Sequence, residues 1–220
     1  MTKNNVTWWE KFSPTIMETE VPQKFIDIIN NTGDEVLKDD GLSKKYDFSD
    51  NLVGKVHKEV SIPVPEENKS YCLSILRQAC VRYLRQMIDL GRAYEWNKKA
   101  AGKEPSEENI YLSQSWIVSQ YKHEYNPVHT HSGNFSGVIY LKIPDRMENH
   151  FNEEMKDHYP ASGLIEFSHG EKQDFKSDTL MFKPRVGQML VFPNWLKHSV
   201  YPFYCEGERR SMSFNAYWKI

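Results

Sequence analysis

The chain is short of several features that mark whole classes of protein. It holds only three cysteines, Cys72, Cys80 and Cys205. An odd, scattered set builds no disulfide framework and suits a reducing compartment. Net charge is scarce as well: 28 Lys and Arg stand against 30 Asp and Glu, a formal −2 at pH 7. That balance removes the electrostatic footprint of a dedicated nucleic-acid or anionic-membrane binder. No apolar run approaches the roughly 18 residues of a spanning helix, and the opening MTKNNVTWWEKF lacks the apolar core of a secretory signal. There is no internal repeat and no low-complexity tract, which excludes solenoids and propellers. The expectation is a soluble, cytoplasmic protein. Its 220 residues suffice for one large domain, able to bury about 70–75% of its extended surface without a disulfide or metal staple.

What is abundant is aromatic: 6 Trp, 12 Tyr and 11 Phe favour substantial sheet. Val21-Pro22 opens a helical pattern in which Phe25, Ile28 and Ile29 share a face, expected to stop at the Asn30–Gly33 cluster. Residues 33–65, with Asp39-Asp40-Gly41, Pro63 and Pro65, read mostly as loop. A long helix is expected over 66–96, opened by Pro65 and Glu66-Glu67, with Cys72, Leu76, Ala79, Tyr83, Leu84 and Met87 on one apolar face. From Ile110 the period changes to two. One or two strands are expected from Ile110 to Tyr121, and others from Phe135 to Ile143, Leu164 to Phe167, Thr179 to Phe182, Gln188 to Phe192 and Ser211 to Trp218. Helices first and short strands afterwards predict an α+β, mainly β chain: a jelly roll over 110–220 buttressed by helices from 1–109, in a single domain.

Two groups of histidine stand out among the eight. His129-Thr130-His131 sits at an expected strand end, and residues i and i+2 of a strand point to one side. His198 follows another apolar strand. Two imidazoles from one strand and one from a distant strand form a metal-site topology, and imidazole suits iron, zinc, copper or nickel. The plainer alternative is a pair of surface histidines beside a turn. Eleven residues after His198 comes Arg209, in Arg209-Arg210-Ser211-Met212-Ser213-Phe214-Asn215. As a strand, this places Arg209, Ser211 and Ser213 on one face, and Arg210, Met212 and Phe214 on the other. A guanidinium facing the interior of an aromatic sheet is costly unless it holds an anion, and Arg suits bidentate carboxylate capture. Otherwise Arg209 pairs with Glu206 or Glu208 at the surface.

In order, these blocks read HTHSGNFSGVIYLKIP at 129–144, GQMLVFPNWLKHSVYPF at 187–203 and ERRSMSFNAYW at 208–218. Together they resemble the 2-oxoglutarate- and Fe(II)-dependent oxygenase superfamily, and more narrowly small oxygenases of bacteria and marine phages related to prolyl hydroxylases. The resemblance covers about residues 110–218, and the N-terminal half carries no motif. It implies a double-stranded β-helix (a jelly-roll, cupin-like core), Fe(II) as metal, and O2 and 2-oxoglutarate as co-substrates. It also implies a hydroxylase acting on a protein side chain or small molecule, in the host cytoplasm if phage-encoded. His129 would be the first iron ligand and His198 the distal one. Arg209 would bind the distal carboxylate of 2-oxoglutarate, with Ser211 beside it and Tyr140 touching the same carboxylate.

One position departs from the pattern. The superfamily's H-x-D or H-x-E gives two histidines and a carboxylate; here the third residue is His131. His131 is either the third ligand, the reading favoured here, or it leaves the place to a carboxylate such as Glu166, or to water or halide. Two rivals keep the fold. A three-histidine cupin dioxygenase without 2-oxoglutarate wants a glutamate three or four residues after H-x-H, where Asn134 and Phe135 stand. A non-catalytic jelly-roll binding module gives no reason for an interior Arg209. Elsewhere, the polar insertion 145–162, with His150, Glu153, Glu154, Asp157 and His158, reads as a solvated flap with a lid role open to it. Trp8-Trp9, Phe12 and Ile16 read as an apolar edge, and Lys98, Lys99 and Lys103 as a solvated face rather than a nucleic-acid patch. The primary substrate and oligomeric state are not legible.

Overall fold

A computed structural model describes residues 14–51, 53–147 and 161–220. The N-terminal half supplies β1 (Met17–Glu20), α1 (Gln23–Lys38), α2 (Asp40–Lys45), β2 (Lys58–Ser61), α3 (Glu66–Asp89) and α4 (Tyr94–Ala100). Among the described residues, the C-terminal half supplies strands: β3 (Ile110–Gln120), β4 (Asn126–His129), β5 (Phe135–Lys142), β6 (Ile165–Ser168), β7 (Thr179–Phe182), β8 (Gln188–Pro193), β9 (Lys197–Val200) and β10 (Arg209–Trp218). They form two antiparallel sheets, one of six strands in the order β1-β8-β5-β10-β3-β2 and one of four in the order β4-β9-β6-β7. This is the expected double-stranded β-helix, mainly β with helices outside. No helix among the described residues is long and apolar enough to cross a membrane.

The period-two alternation of the long strands divides the core in two. On β5, Ile139 and Leu141 join Met212, Phe214 and Ala216 of β10 in a cluster packed under α1 and α3, where Phe25, Ile29, Leu76 and Cys80 are buried. The alternate residues, Val138 and Tyr140, face the smaller sheet and pack with its Ile165 and Phe167 and with Leu190 and Phe192 of β8. Ile16 packs against this second cluster as expected of an apolar edge; Trp8, Trp9 and Phe12 lie outside the described residues, as do His150, Glu153, Glu154, Asp157 and His158 with most of the insertion read as a solvated flap.

Three helical expectations need correction. α1 does not stop at Asn30–Gly33 but runs on to Lys38. The small residue serves packing: a Cβ on Gly33 would fall 2.5 Å from Ile117 Cδ1, so glycine lets the helix lie close on the sheet. Asn30 is used likewise, its Nδ2 donating to the Leu141 carbonyl at 3.2 Å. The supposed loop at 33–65 contains α2, capped by Asp39 accepting from the Leu42 N–H at 2.8 Å, and the edge strand β2. The single helix expected at 66–96 is two, because Gly91 takes φ +67° and turns the chain before α4. Strand bounds agree to within two residues for the six that were expected, whereas the short strands β1, β2, β4 and β9 were not foreseen.

Candidate metal centre and co-substrate pocket

His129 closes β4 and pairs directly across from His198 on β9. His131 lies two residues further, outside the strand, held by its N–H donating to the Asn194 carbonyl at 2.9 Å and by its own carbonyl accepting from Asn194 Nδ2 at 3.2 Å. Potential ligand atoms of the three imidazoles all lie within 4.8 Å of one another. His131 Nε2 and His198 Nε2 approach to 3.1 Å. Two neighbouring ligands at about 2.1 Å from one ion and near right angles stand about 3 Å apart, so the spacing suits a shared metal.

Backbone carbonyls fix two of the rings. His129 Nδ1 lies 2.8 Å from the Pro127 carbonyl and His198 Nδ1 3.0 Å from that of Leu196. A carbonyl can only accept, so both Nδ1 atoms carry the proton and both Nε2 lone pairs face the site, the orientation a second layer of hydrogen bonds gives metal-bound histidine. Burial pulls His131 and His198 down to about 3, the neighbouring imidazoles adding to it, and lowers His129 too. All three are neutral at pH 7, the form that ligates. Phe192 meets His198 edge-on at 4.9 Å between ring centroids and Phe167 lies at 5.5 Å, so one side of the cluster is apolar.

Arg209 is 2% exposed. Its Nη1 donates to Gln120 Oε1 at 2.9 Å, yet Nε and Nη2 are buried without any hydrogen-bond partner. The Tyr140 hydroxyl is buried and unpartnered too, and the guanidinium lies 5.1 Å from the centre of the Tyr140 ring. Burial pushes the Tyr140 phenol up, with Arg209 opposing. Orphaned buried donors are rare in folded proteins because each costs about 1–3 kcal/mol. A charged guanidinium on the cavity wall with a buried phenol beside it fits a carboxylate. Ser211, also buried, lines that cavity with Arg209 and the three histidines. The alternation expected of this strand holds. Arg210 turns the other way, into Asp34 of α1 at 2.7 Å and Glu208 at 2.7 Å, so it is Arg210 and not Arg209 that makes the surface-side ion pair.

Glu166, the alternative third ligand, faces away. Its strand neighbours Ile165 and Phe167 fill the inter-sheet core, and the Tyr201 hydroxyl donates to Glu166 Oε2 at 3.2 Å. Reading the sequence alone missed Gln120, which props Arg209, and Trp116, whose ring lies 5.7 Å from that of His131. Both sit at the inward positions of β3, and that alternation was the available signal.

Residues 114–215 match the model of the family described as "Putative 2OG-Fe(II) oxygenase". That stretch, which contains every site residue named above, is similar to the 2OG-Fe(II) oxygenases of that family. Among solved structures the chain is similar to AviO1 from Streptomyces viridochromogenes Tue57, at 15% identity over 94% of this chain and 90% of that one, with a TM-score of 0.53. It is also similar to a Pseudomonas putida prolyl-4-hydroxylase (15% identity, 92% and 93% covered, TM-score 0.47). A third is the viral collagen prolyl hydroxylase of Paramecium Bursaria Chlorella virus-1 (13% identity, 91% and 94% covered, TM-score 0.47). No curated protein matches the chain in sequence.

Proposed function

We propose that the protein is a hydroxylase in which His129, His131 and His198 hold Fe(II), while Arg209, Tyr140 and Ser211 hold the distal carboxylate of 2-oxoglutarate. The observation that carries this reading is the buried Arg209, with two donor nitrogens unpaired, on the wall of the cavity that the three imidazoles line. Bound there, iron and 2-oxoglutarate supply the O2 chemistry that ends in succinate, CO2 and a hydroxylated substrate. The chain's part is positional. The Pro127 and Leu196 carbonyls hold two imidazoles with lone pairs inward, Gln120 aims the guanidinium, and Phe167 and Phe192 keep water from one side. His131 replaces the customary carboxylate as third ligand; the 3.1 Å approach to His198 supports it, and Glu166 facing away from the cluster speaks for it over that carboxylate. Three buried free thiols fit the reducing cytoplasm. The substrate is a protein side chain or a small molecule, since near-neutral charge speaks against nucleic acid.

The test is anaerobic titration with Fe(II) and then 2-oxoglutarate, followed by visible absorption. A weak charge-transfer band should grow with 2-oxoglutarate and saturate at one equivalent. A cupin dioxygenase without this co-substrate, or a binding module, gives no band.

A further inference from the structure

The inner face of the six-stranded sheet carries one row of residues across four strands. Tyr140 on β5 stands opposite Ser211 on β10, Ser211 opposite Val118 on β3, and Val118 opposite Glu59 on β2. With strands about 4.8 Å apart, the row spans about 14 Å. One end holds the unpartnered Arg209 Nε and Nη2 and the Tyr140 hydroxyl. The other holds unpartnered acceptor oxygens. Glu59 is 6% exposed, its Oε1 is buried with no hydrogen-bond partner, and it lines the same cavity as His129 and His131. Asn126 Oδ1, buried and equally unpartnered, lines that cavity too.

No described residue forms an ion pair with Glu59. Lys58, its neighbour on β2, turns the other way, its Nζ donating to the Leu37 carbonyl and Ser43 Oγ. The charges that act on Glu59 are negative, Asp47 and Glu124, and with burial they push its carboxyl up to about 7. Both are already held, Asp47 by Ser49 and Glu124 by the N–H groups of His57 and Tyr121. An inward charge on an edge strand can serve to discourage pairing with another sheet. That purpose does not call for a second orphaned acceptor on the same wall, nor for a cavity shared with the imidazoles.

We propose that Glu59, with Asn126 beside it, is the specificity-determining acceptor for the primary substrate, which presents a protonated amine or a guanidinium to this corner. The assignment rests on the oxygenase reading above, because it takes the cavity between Arg209 and Glu59 to hold co-substrate at one end and substrate at the other. The cation is carried either by a free small molecule or by a side chain of a polypeptide.

The experiment is calorimetry at pH 8 on protein loaded anaerobically with Fe(II) and 2-oxoglutarate. The probes are arginine against citrulline and lysine against norleucine, each as the free amino acid and as the central residue of a blocked glycine tripeptide. Wild-type protein should bind at least one cationic probe tenfold or more tighter than its neutral counterpart. Whether the free or the peptide form wins identifies the source. Glu59→Gln should abolish the gap, and Asn126→Leu, an independent variant should the first fold poorly, should narrow it severalfold. No gap in any pair, or a gap that survives Glu59→Gln in folded protein, overturns the assignment. The 2-oxoglutarate titration reads the underlying function separately. Wild type that binds no 2-oxoglutarate sinks the oxygenase reading, while 2-oxoglutarate binding without cation preference sinks only the role of Glu59.

Discussion

Arg209 and Arg210 are adjacent, both nearly inaccessible, and replacing each by Met should have opposite consequences. In Arg209→Met, two orphaned donor nitrogens disappear, each of which costs about 1–3 kcal/mol. Against this, the charged bond to Gln120, worth about 1.5–3 kcal/mol, is lost and Gln120 Oε1 is left unpaired at a further 1–3 or so. The contact with the Tyr140 ring accounts for about 0.5–2 kcal/mol more. These terms nearly cancel, so stability should stay within about 2 kcal/mol of wild type, unlike the loss of about 3–5 that usually follows breaking a buried pair. Arg210→Met does break such a pair, with Asp34 and Glu208, although Lys142 stays beside both. It should cost about 3 kcal/mol, or about 6–12 °C in midpoint for a chain of this size. Binding behaves in the reverse way. At 100 times Kd, 2-oxoglutarate stabilises by about 2.7 kcal/mol, so anaerobic thermal melts with Fe(II) should show the full ligand shift in Arg210→Met on a lowered baseline. Arg209→Met should show almost none, since losing a desolvated charge-assisted pair of about 2–5 kcal/mol weakens binding roughly 30- to 4,000-fold. An Arg209→Met protein that unfolds, or that keeps the ligand shift, refutes a guanidinium held ready for a carboxylate.

At the metal centre, His198→Ala and His129→Ala should abolish stoichiometric iron and succinate formation, while His131→Ala should loosen iron less severely and His131→Asp should keep it or tighten it. Metal analysis of the four variants decides the third ligand, and a His131→Ala protein indistinguishable from wild type removes His131 from the set. Tyr140→Phe deletes a buried hydroxyl that has no partner, so denaturant unfolding should find it as stable as wild type or up to about 1 kcal/mol more so, with 2-oxoglutarate bound several times more weakly; equal affinity would free the hydroxyl from any role in the pocket. Glu59 supplies a pH test of the fold itself. Its carboxyl is raised from 4.5 to about 7, so between those values the folded state binds a proton the unfolded chain has released, and stability falls as pH rises through the window, by up to about 3 kcal/mol. Urea unfolding of wild type and Glu59→Gln from pH 5 to 8 should therefore diverge in favour of the variant as pH rises, and parallel curves would place Glu59 in water.

The long strands were legible because period-two alternation survives without tertiary help. In β10, the inward Arg209, Ser211 and Ser213 and the helix-facing Met212, Phe214 and Ala216 separate on sequence alone. Of the four-residue strands, β6 and β7 were legible from their apolar runs, whereas β4 and β9 were not: β4 contains Pro127, and β9 is Lys197-His198-Ser199-Val200, with little apolar signal. They are defined by pairing within the smaller sheet, β4 with β9 and β9 with β6. The Asn30–Gly33 cluster misled for a related reason: glycine's missing side chain signals a helix end where nothing lies beneath, but here Ile117 does. Local propensity has no knowledge of what packs below it.

The site divides along the same line. Its histidines and Arg209 announced themselves through residue type and spacing, because imidazole and guanidinium have few reasons to sit inside an aromatic sheet. Glu59 did not, since it lies in a segment read as loop, and a glutamate in a loop needs no explanation. Only when β2 is placed at the sheet edge does its alternation turn Glu59 inward and Lys58 outward. The donor end of the cavity is built on β5 and β10, in the middle of the larger sheet, where neighbours on both sides fix each side chain. The acceptor end is built on β2, the sheet's edge, and on Asn126 at the edge of the smaller sheet. The proposed co-substrate pocket in the centre and the proposed substrate corner at the rim suit that placement: the central strands cannot change without disturbing two neighbours, whereas an edge strand can alter its inward residue at the expense of one.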